Sequence, residues 1–297
     1  MKVVITIPAY NEEKTIGKVI RDIKNVMHKT DYNYEIIVVN DGSKDKTKFI
    51  AKESGAIVYS NHINLGLSET FKIEIQKCLD LKADIIVHTD ADGQYLAKDI
   101  PRLIKEVENG NDLVLGNRFM GGIEYLPIIK KLGNKAFSKV ISKIVQKKIG
   151  DCQTGFRAFT KEVAENIEII SNFTYTQEQI IHAVKKGYKI KEIPTYFAKR
   201  ESGKSRLFSN PFGYAIRAWT NLFRLYRDYE PLKFFSMFGF LFIFTGSIIG
   251  FWFVFLHITK GIQGHLGLMM LMFLLIIVGI QIFLFGFLAD MQRNRLN

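Results

Sequence analysis

The chain has 297 residues and a formal net charge of +12, from 41 lysine and arginine residues against 29 acidic ones. Its length allows one large domain or two modest ones. The two cysteines, Cys78 and Cys152, form no metal-binding or disulfide pattern, as suits a cytosolic domain. The charge indicates contact with anionic lipid headgroups or a phosphorylated substrate. Nucleic acid is a weaker interpretation, because no recognition motif for it is present.

The first ninety residues predict alternating strands and helices. Continuous apolar runs indicate buried strands, and apolar residues at helical spacing indicate the helices between them. In chain order we expect a strand at 3–7, a helix at 14–27, a strand at 35–39, a helix at 46–54, a short strand at 56–59, a helix at 68–79 and a strand at 84–89. This order predicts an α/β fold with a mostly parallel sheet and helices on both of its faces.

Polar side chains follow three of these strands at the points where the strands end. The segments are Pro8–Glu12, Asn40–Ser43 and Asp90–Gln94. The carboxyl ends of parallel strands form the edge of a sheet at which ligands bind, and no glycine-rich dinucleotide-binding turn follows the first strand. Carboxylates such as Asp90 and Asp92 are ligands that Mg²⁺ or Mn²⁺ uses together with substrate phosphate. The pattern therefore predicts a divalent metal site that holds a diphosphate.

The C-terminal part of the chain differs in composition. Residues 234–256 and 266–289 contain no Asp, Glu, Lys or Arg, and each is long enough as a helix to cross a hydrocarbon core of about 30 Å. Buried core helices are the alternative, but neither segment has a polar face. Basic residues flank the outer ends, whereas the short connection has only Lys260. We therefore expect a transmembrane hairpin in the cell membrane, with both termini cytosolic and no signal peptide.

The ordered motifs of residues 1–208 resemble those of family-2 glycosyltransferases with the GT-A fold. The segments that carry the resemblance are IPAYNEEKTIGKVI, VVNDGSKDKT, NLGLSET, HTDADGQY, LVLGNRF, DCQTGFRAFTKE, GYKIKEIP and KRESGKSR. Together with the pair of membrane helices, they make the chain similar to polyisoprenyl-phosphate glycosyltransferases, a group that includes dolichyl-phosphate mannose synthases.

This resemblance implies an inverting transfer of a single sugar to a polyisoprenyl (dolichyl) monophosphate at the cytosolic membrane face. UDP-glucose, UDP-N-acetylglucosamine and GDP-mannose are all open as donors, and the segment DCQTGFRAF favours a UDP-sugar. It also implies a cytosolic catalytic domain over residues 1–208, an amphipathic interfacial helix over 209–232 and a transmembrane hairpin over 233–297. We expect a homo-oligomer, with a tetramer implied by the resemblance, because three glycines of the first span allow close helix contact: Gly239, Gly246 and Gly250.

The resemblance further assigns roles to single residues on the donor side. It implies a nucleotide-sugar site formed by Pro8, Tyr10, Glu12, Asp41, Asp90 and Arg118, and metal ligands Asp90, Asp92 and Gln94. The implied catalytic set is Asp90, Asp92, Gln94 and Arg118. Asn40 stands where the family commonly has the first of two aspartates, which leaves one acceptor fewer. For Arg118, a surface salt bridge is the alternative to phosphate binding.

Basic segments predict the acceptor side. Residues 126–148 have lysines between apolar residues at helical spacing, which indicates either a membrane-interface helix or an ordinary surface helix. We expect the acceptor phosphate to contact residues of this helix and of a KRESGKSR lid: Lys130, Lys131, Lys199, Arg200 and Lys204. A phosphate monoester has a second pKa near ~6 and needs no catalytic base at pH 7. Glu178 is therefore expected to orient the sugar or support the structure as readily as to act as a base.

Other functions share some of these features. A processive polysaccharide synthase shares the early motifs, but it is expected to have a Q-x-x-R-W signature and more spans. A transferase that modifies an assembled lipid-linked oligosaccharide fits the same motifs. A catalytically silent membrane scaffold of the same fold is disfavoured by Asp41, Asp90, Asp92 and Arg118. The histidines His62, His88 and His182 lack ligand spacing and are interpreted as structural.

Overall fold

A computed structural model describes residues 1–166, 169, 175–200, 220, 223–224, 226–261 and 266–296. The chain separates into two compact units, Met1–Ala215 and Ile216–Asn297. Residues 201–206 of the predicted lid and most of the predicted interfacial helix at 209–232 lie outside the described residues.

The first unit contains a seven-stranded sheet in the order β3-β2-β1-β4-β6-β5-β7. Its strands are β1 (Lys2–Ala9), β2 (Asn33–Asn40), β3 (Ile57–Ser60), β4 (Ile85–His88), β5 (Leu113–Asn117), β6 (Arg157–Thr160) and β7 (Ile190–Pro194). All neighbouring strands pair in parallel except β6, which runs antiparallel to both β4 and β5. The prediction of a mostly parallel sheet is confirmed, and β6 is the reason that the sheet is mixed.

Helices connect these strands. They are α1 (Ile16–Met27), α2 (Thr47–Glu53), α3 (Leu67–Asp80), α4 (Ile100–Glu108), α5 (Arg118–Gly121), α6 (Ile128–Val145), α7 (Lys161–Asn166) and α8 (Thr176–Lys185), with a 3₁₀ turn at Ala97–Asp99. α1 is amphipathic, and its apolar stripe, which includes Ile16, Ile20 and Ile23, is buried in the core. Burial of such stripes against the sheet, with its continuous apolar strands, supplies the main driving force for this fold.

The register of the central strands places their carboxyl ends side by side. Ala9 at the end of β1 lies opposite Asn40 at the end of β2, and Thr6 lies opposite His88 at the end of β4. The polar segments that follow these strands therefore meet at one edge of the sheet, as the sequence predicts.

The second unit contains two long helices, which we name C-terminal helix 1 (Pro231–Lys260) and C-terminal helix 2 (Leu266–Leu296). They include the two predicted spans, are apolar on all sides, and are mostly exposed within the chain. By length and composition both can cross a membrane. Such wide exposure of apolar side chains differs from that of a core helix in a soluble protein.

Glycines bring the two C-terminal helices close together. A Cβ on Gly239 would lie 2.8 Å from the carbonyl oxygen of Gly279, and a Cβ on Gly279 would lie equally close to that of Gly239. Gly246 and Gly250 face Ile276 and Met272 in the same way. The glycines of the first span thus serve contacts inside the hairpin, which is the use that small residues have at helix interfaces in membranes.

Candidate active site

The loops after β1 and β2 are fastened to each other by hydrogen bonds. The backbone N–H of Asn11 donates to Ser43 Oγ (2.9 Å), and that of Glu12 donates to Thr47 Oγ1 (2.7 Å). In return, Lys44 N–H donates to Asn11 Oδ1 (2.8 Å). Asn11 has a φ of 52°, a left-handed conformation that Asn tolerates better than most residues. Pro8, Tyr10 and Glu12 therefore belong to a preformed rim of the site.

Asp41 organises the segment that precedes α3. Its Oδ1 accepts hydrogen bonds from Asn61 Nδ2 (2.9 Å) and Leu65 N–H (2.8 Å), and its Oδ2 accepts one from Gly66 N–H (3.0 Å). Gly42 must be glycine, because it has a φ of +69° and a Cβ would lie 2.5 Å from the backbone of Ile63. Asp41 is buried in a loop that its own hydrogen bonds hold in place. Its predicted contact with a base must therefore use the lone pairs of the carboxylate that these hydrogen bonds leave open.

Asp90 and Asp92 follow β4 at the same edge. The backbone N–H of Gln94 donates to Asp92 Oδ1 (3.0 Å), which closes a tight turn, and Gly93 has a φ of +74°. Arg200 forms an ion pair with the other oxygen of Asp92. Burial, followed by the negative charge of Asp92, raises the pKa of Asp90 to about 6, although His88, Arg118 and Arg200 oppose the rise. Two carboxylates in this setting favour a positively charged ligand.

Gly155 forms a wall against Asp90. A Cβ at Gly155 would lie 2.9 Å from Asp90 Oδ1, so only glycine permits this close approach of the main chain. The N–H of Gly155 donates to the hydroxyl of Tyr95 (3.1 Å). The segment DCQTG thus has a direct part in shaping the carboxylate site.

Arg118 lies at the start of α5 in a paired and buried position. Its Nε and Nη2 donate to the two carboxylate oxygens of Asp151 (2.7 Å each), and its backbone N–H donates to the same carboxylate (3.1 Å). Its guanidinium also lies 5.1 Å from the ring centroid of Phe197. Its pKa is raised by Tyr95 and Asp151, and by Asp90, against the opposing effect of burial. The ion pair with Asp151 is therefore buried, unlike the surface salt bridge that the sequence left as an alternative.

Gln94 connects the Asp90–Asp92 turn to the segment after β7. Its side-chain Nε2 donates to the carbonyl of Ala198 (2.9 Å), and Ala198 N–H donates to the backbone carbonyl of Gln94 (2.8 Å). These bonds hold the segment that contains Arg200 next to the turn, where Arg200 pairs with Asp92. The predicted role of Gln94 as a metal ligand stays a prediction, and its observed role is to hold this segment at the site.

Comparison with known families identifies the family of this chain. The model of the family "Glycosyl transferase family 2" matches residues 4–168, which include most of β1, all of β2 to β6 and both aspartates of the turn. The chain belongs to the family 2 glycosyltransferases. It is therefore a member of an enzyme family.

Three relatives of this glycosyltransferase have names that refer to dolichyl or dolichol phosphate. The chain is 31% identical to "Dolichyl-phosphate hexose transferase" of Haloferax volcanii (70% of this chain, 86% of the relative). It is 30% identical to "Dolichol-phosphate mannosyltransferase" of Pyrococcus furiosus (88% and 74%). It is also 30% identical to "UDP-N-acetylglucosamine--dolichyl-phosphate N-acetylglucosaminyltransferase" of Methanococcus voltae (71% and 92%).

Solved structures confirm the fold. Mannosyl-3-phosphoglycerate synthase from Rubrobacter xylanophilus has a TM-score of 0.60 at 18% identity. The match covers 76% of this chain and 74% of the synthase. Glucosyl-3-phosphoglycerate synthase from Mycobacterium tuberculosis, in complex with Mn²⁺, UDP and glucosyl-3-phosphoglycerate, has a TM-score of 0.58 at 19% identity (74% and 79%). The predicted GT-A architecture is therefore confirmed.

The side chains that could bind a metal in this glycosyltransferase fit a divalent ion that a substrate phosphate also binds. No group of three or more His, Cys, Asp or Glu side chains able to hold a metal occurs among the described residues. Asp90 and Asp92 offer two carboxylates at one turn, and the guanidinium of Arg200 already sits on one of them. A cation held by one or two carboxylates and completed by phosphate and water is typical of Mg²⁺ or Mn²⁺ sites.

Only one of the two predicted acceptor lysines of α6 is brought to the carboxylates. Burial, then Arg200 and Arg118, lower the pKa of Lys130, whereas Asp92 raises it. Lys130 is thus half-buried within electrostatic reach of both arginines and Asp92, whereas Lys131 is exposed. Lys199 is also exposed, and its backbone N–H donates to Glu124 Oε2 (2.9 Å).

An exposed apolar surface adjoins Lys130 in the chain. We name it the apolar patch and define it as Met120, Tyr125, Ile128, Ile129 and Leu132, which are between 49% and 76% exposed. The opposite side of α6 is buried through Phe137 and Ile141. Apolar groups that are exposed together in this way indicate an interaction surface.

Two further predictions concern Glu178 and Lys204. Glu178 lies in the first turn of α8 and is buried, so its environment suits a supporting role as well as an orienting one. Lys204 lies outside the described residues.

Sequence reasoning missed several residues that shape the site. Asp151 holds Arg118, Gly155 abuts Asp90, and Tyr95 holds Gly155. His88 is fully buried and pairs with the fully buried Glu74, a contact that the sequence does not predict. The sequence signal for Asp151 and Gly155 is the segment DCQTG. This segment contributes to the family resemblance, but the sequence alone assigns no physical role to its aspartate or its glycine.

Proposed function

We propose that this glycosyltransferase transfers a single sugar, with inversion, from a nucleoside diphosphate sugar to the phosphate of a polyisoprenyl phosphate such as dolichyl phosphate. The observation that carries the proposal is the cluster of Lys130, Arg118 and Arg200 beside Asp90 and Asp92. Cations next to a pair of carboxylates suit a reaction between two phosphate-bearing molecules. The names of the relatives support the same acceptor.

The donor lies along the edge of the sheet in this proposal. The rim after β1 and the loop organised by Asp41 hold the nucleoside, and the turn at Asp90 and Asp92 holds the diphosphate. Asp90 and Asp92 would hold a divalent ion, Mg²⁺ or Mn²⁺, and this ion would offset the negative charge that develops on the departing diphosphate. Arg118 acts mainly through Asp151, whose segment leads to Gly155 and so to Asp90.

The acceptor phosphate binds on the cationic side of the cluster. Lys130 and Arg200 orient its oxygen toward the anomeric carbon and screen the repulsion between two negatively charged partners. The phosphate is itself the nucleophile and is largely dianionic at pH 7, so the protein does not need to remove a proton from it. Glu178 is left with an orienting or supporting role.

The apolar patch supplies the place where the acceptor arrives. Ile128 and Leu132 enter the interfacial region of the bilayer, whereas Lys131 and Lys135 on the same helix face anionic headgroups. A polyisoprenyl phosphate has its phosphate at that depth and its chain in the hydrocarbon. Lys130 then lies between the bilayer and the carboxylate pair. The catalytic unit and both termini are cytosolic in this arrangement, in keeping with the basic flanks of the hairpin.

The enzyme acts as a homo-oligomer that assembles through C-terminal helix 2. Gln281 lies near the middle of this helix and is exposed, next to a groove of about 370 Å³ lined by Leu284, Phe285 and Leu288. Hydroxyls of C-terminal helix 1, such as Thr245, bond to a carbonyl of their own helix (2.8 Å to Leu241). The Gln281 amide makes no such bond within the described part of the chain. A second copy presents the same amide at the same depth, which lipid tails do not.

Disulfide crosslinking tests this interface. Gln281→Cys in membranes should give a covalent dimer on oxidation, whereas Phe251→Cys, on the exposed side of C-terminal helix 1, should give much less. Equal crosslinking of both variants would argue against the interface. Crosslinking of Gln281→Cys that disappears when dolichyl phosphate is added would assign the groove to the acceptor lipid instead.

Product analysis tests the proposed function itself. The full-length protein in detergent or vesicles is incubated with Mn²⁺, dolichyl phosphate and, separately, UDP-glucose, UDP-N-acetylglucosamine or GDP-mannose. We expect one donor to give a phosphodiester whose mass exceeds that of the acceptor by a single sugar residue. Transfer only to a preformed lipid-linked oligosaccharide would support the alternative acceptor, and binding of no nucleotide sugar would support a silent scaffold.

A further inference from the structure

A buried ionisable pair lies behind the Asp90–Asp92 turn and has no part in the transfer described above. Glu74 of α3 places Oε2 3.2 Å from Nε2 of His88, the last residue of β4, and both side chains are fully buried. Apolar side chains commonly fill such positions at a lower free-energy cost. The pair must therefore be understood from what it holds in place.

His88 uses its other ring nitrogen to hold Gly155. Nδ1 lies 2.7 Å from the carbonyl oxygen of Gly155. A carbonyl oxygen only accepts hydrogen bonds, so Nδ1 carries a proton and donates it. The Tyr175 hydroxyl lies 3.2 Å from Nδ1 and 3.3 Å from Nε2, so the 2.7 Å contact with Gly155 is the shortest of these polar contacts. This contact fixes the ring orientation, in the way that a partner on one nitrogen commonly sets the role of the other.

Both the carbonyl group and the N–H group of Gly155 are therefore held by hydrogen bonds. Its carbonyl accepts from His88, and its N–H donates to the Tyr95 hydroxyl (3.1 Å). Between these two bonds, its Cα faces the Asp90 carboxylate so closely that a Cβ would lie 2.9 Å from Oδ1. The position of Gly155 therefore sets the space that the Asp90 carboxylate can occupy.

Glu74 also connects this wall to the loop at Asp41. The N-terminal end of α3 is fixed because Gly66 N–H donates to Asp41 Oδ2 (3.0 Å). Farther along the same helix, Glu74 contacts His88. α3 thus joins the predicted nucleoside side of the site to the predicted diphosphate side through two buried carboxylates.

We infer that Glu74 and His88 are positioning residues for donor binding, which act through Gly155 to hold the Asp90 carboxylate in its place for a metal-bound nucleoside diphosphate. The inference rests on the proposed function for the identity of this ligand. Residues that orient a metal ligand from behind commonly change metal affinity by about 10–100-fold.

Two substitutions of His88, each made in the uncharged Glu74→Gln variant, separate a positioning role from simple packing. In Glu74→Gln, the amide still reaches His88 Nε2, so binding of Mn²⁺ with UDP or GDP should stay within about threefold of the unaltered protein. In the same background, His88→Asn keeps a donor at the position of Nδ1, and His88→Gln keeps one at the position of Nε2. Neither variant leaves a buried unpaired charge. We expect the Asn variant to bind normally and the Gln variant to bind about 10-fold more weakly, at equal unfolding temperatures.

A measurement without ligand completes the test. Amide hydrogen exchange of the peptide that contains Gly155 should be faster in the Gln variant than in the Asn variant. Equal exchange and equal Mn²⁺–nucleotide binding in both would overturn the inference. Because neither measurement requires the lipid acceptor, a failure of the proposed lipid product would leave this result intact and is recognised separately.

Discussion

The proposed donor side and the proposed acceptor side of the catalytic unit are built in different ways. On the donor side, carboxylates such as Asp41 and Asp151 are buried and receive several hydrogen bonds from the protein itself. On the acceptor side, the apolar patch is exposed, and Lys131 lies in solvent. A soluble nucleotide sugar needs a preformed site, because binding energy is lost when groups must be ordered. A lipid acceptor arrives already oriented by the membrane, so the protein needs to offer only a surface and a positive charge.

The largest effect that this contrast predicts is at Asp92. Asp92→Asn removes the charge that Arg200 and a divalent ion require but keeps the shape of the turn. We expect transfer to fall by about 10³-fold, because stabilisation of charge on the leaving group is a large catalytic term. The measurement is formation of labelled glycolipid at saturating Mn²⁺. Removal of the ion with EDTA should have the same effect on the unaltered enzyme, and near-normal transfer in either case would contradict the metal assignment.

Gly155→Ala should sharpen the account of the donor side. The added methyl group would meet Asp90 Oδ1 at 2.9 Å and displace it, so the affinity for Mn²⁺ with nucleotide should fall by about 10–100-fold. Gly133→Ala on α6 is the matched control, because a Cβ there has no neighbour within 4 Å among the described residues. If the two variants bind the nucleotide equally well, Gly155 does not constrain Asp90.

The same contrast explains what the sequence could predict. The aspartates were found from local pattern, since an apolar run followed by carboxylates is visible within ten residues. The antiparallel insertion of β6 was not, because His88 pairs with Arg157 and no local pattern specifies such a distant partner. Helical spacing predicted α6, but the residues that face the site depend on how Phe137 and Ile141 pack, and this selects Lys130 over Lys131.

Lys130 and Lys131 therefore offer a comparison within one helical turn. Lys130→Gln should raise the KM for the lipid phosphate by about 10-fold, the value expected for loss of a hydrogen bond to a charged group. Lys131→Gln, which removes an exposed lysine, should change it by less than about twofold. Neither variant should alter the KM for the nucleotide sugar. Equal effects of both substitutions would place the acceptor phosphate away from the carboxylate pair.

The apolar patch should show a smaller effect that depends on the membrane. Ile128→Ser combined with Leu132→Ser removes about 1 kcal/mol of apolar burial in the bilayer, which is about 5-fold in vesicle transfer rate. Phe49→Ser, at an equally exposed residue of α2, is the control. The defect should vanish with a short-chain acceptor in detergent. A defect of the same size in both assays would indicate damage to the fold instead of lost contact with lipid.

Asp90→Asn should give the smallest effect, and it is a gain in stability. Burial and Asp92 raise the pKa of Asp90 to about 6 in the folded protein, above its ordinary value of 3.8. A carboxyl group with a raised pKa favours folding below its unfolded pKa, and this contribution is lost as the pH rises through about 6. At pH 7.5 without metal, the ionised carboxylate therefore destabilises the fold, and Asp90→Asn should raise the free energy of unfolding. The gain should shrink strongly by pH 4, where the carboxyl group is protonated in the folded protein and about half protonated in the unfolded one. If Asp90→Asn instead lowers the unfolding temperature in EDTA at pH 7.5, Arg200 and His88 already neutralise Asp90. The ionised carboxylate then does not destabilise the fold, and a bound metal ion has no such destabilisation to remove.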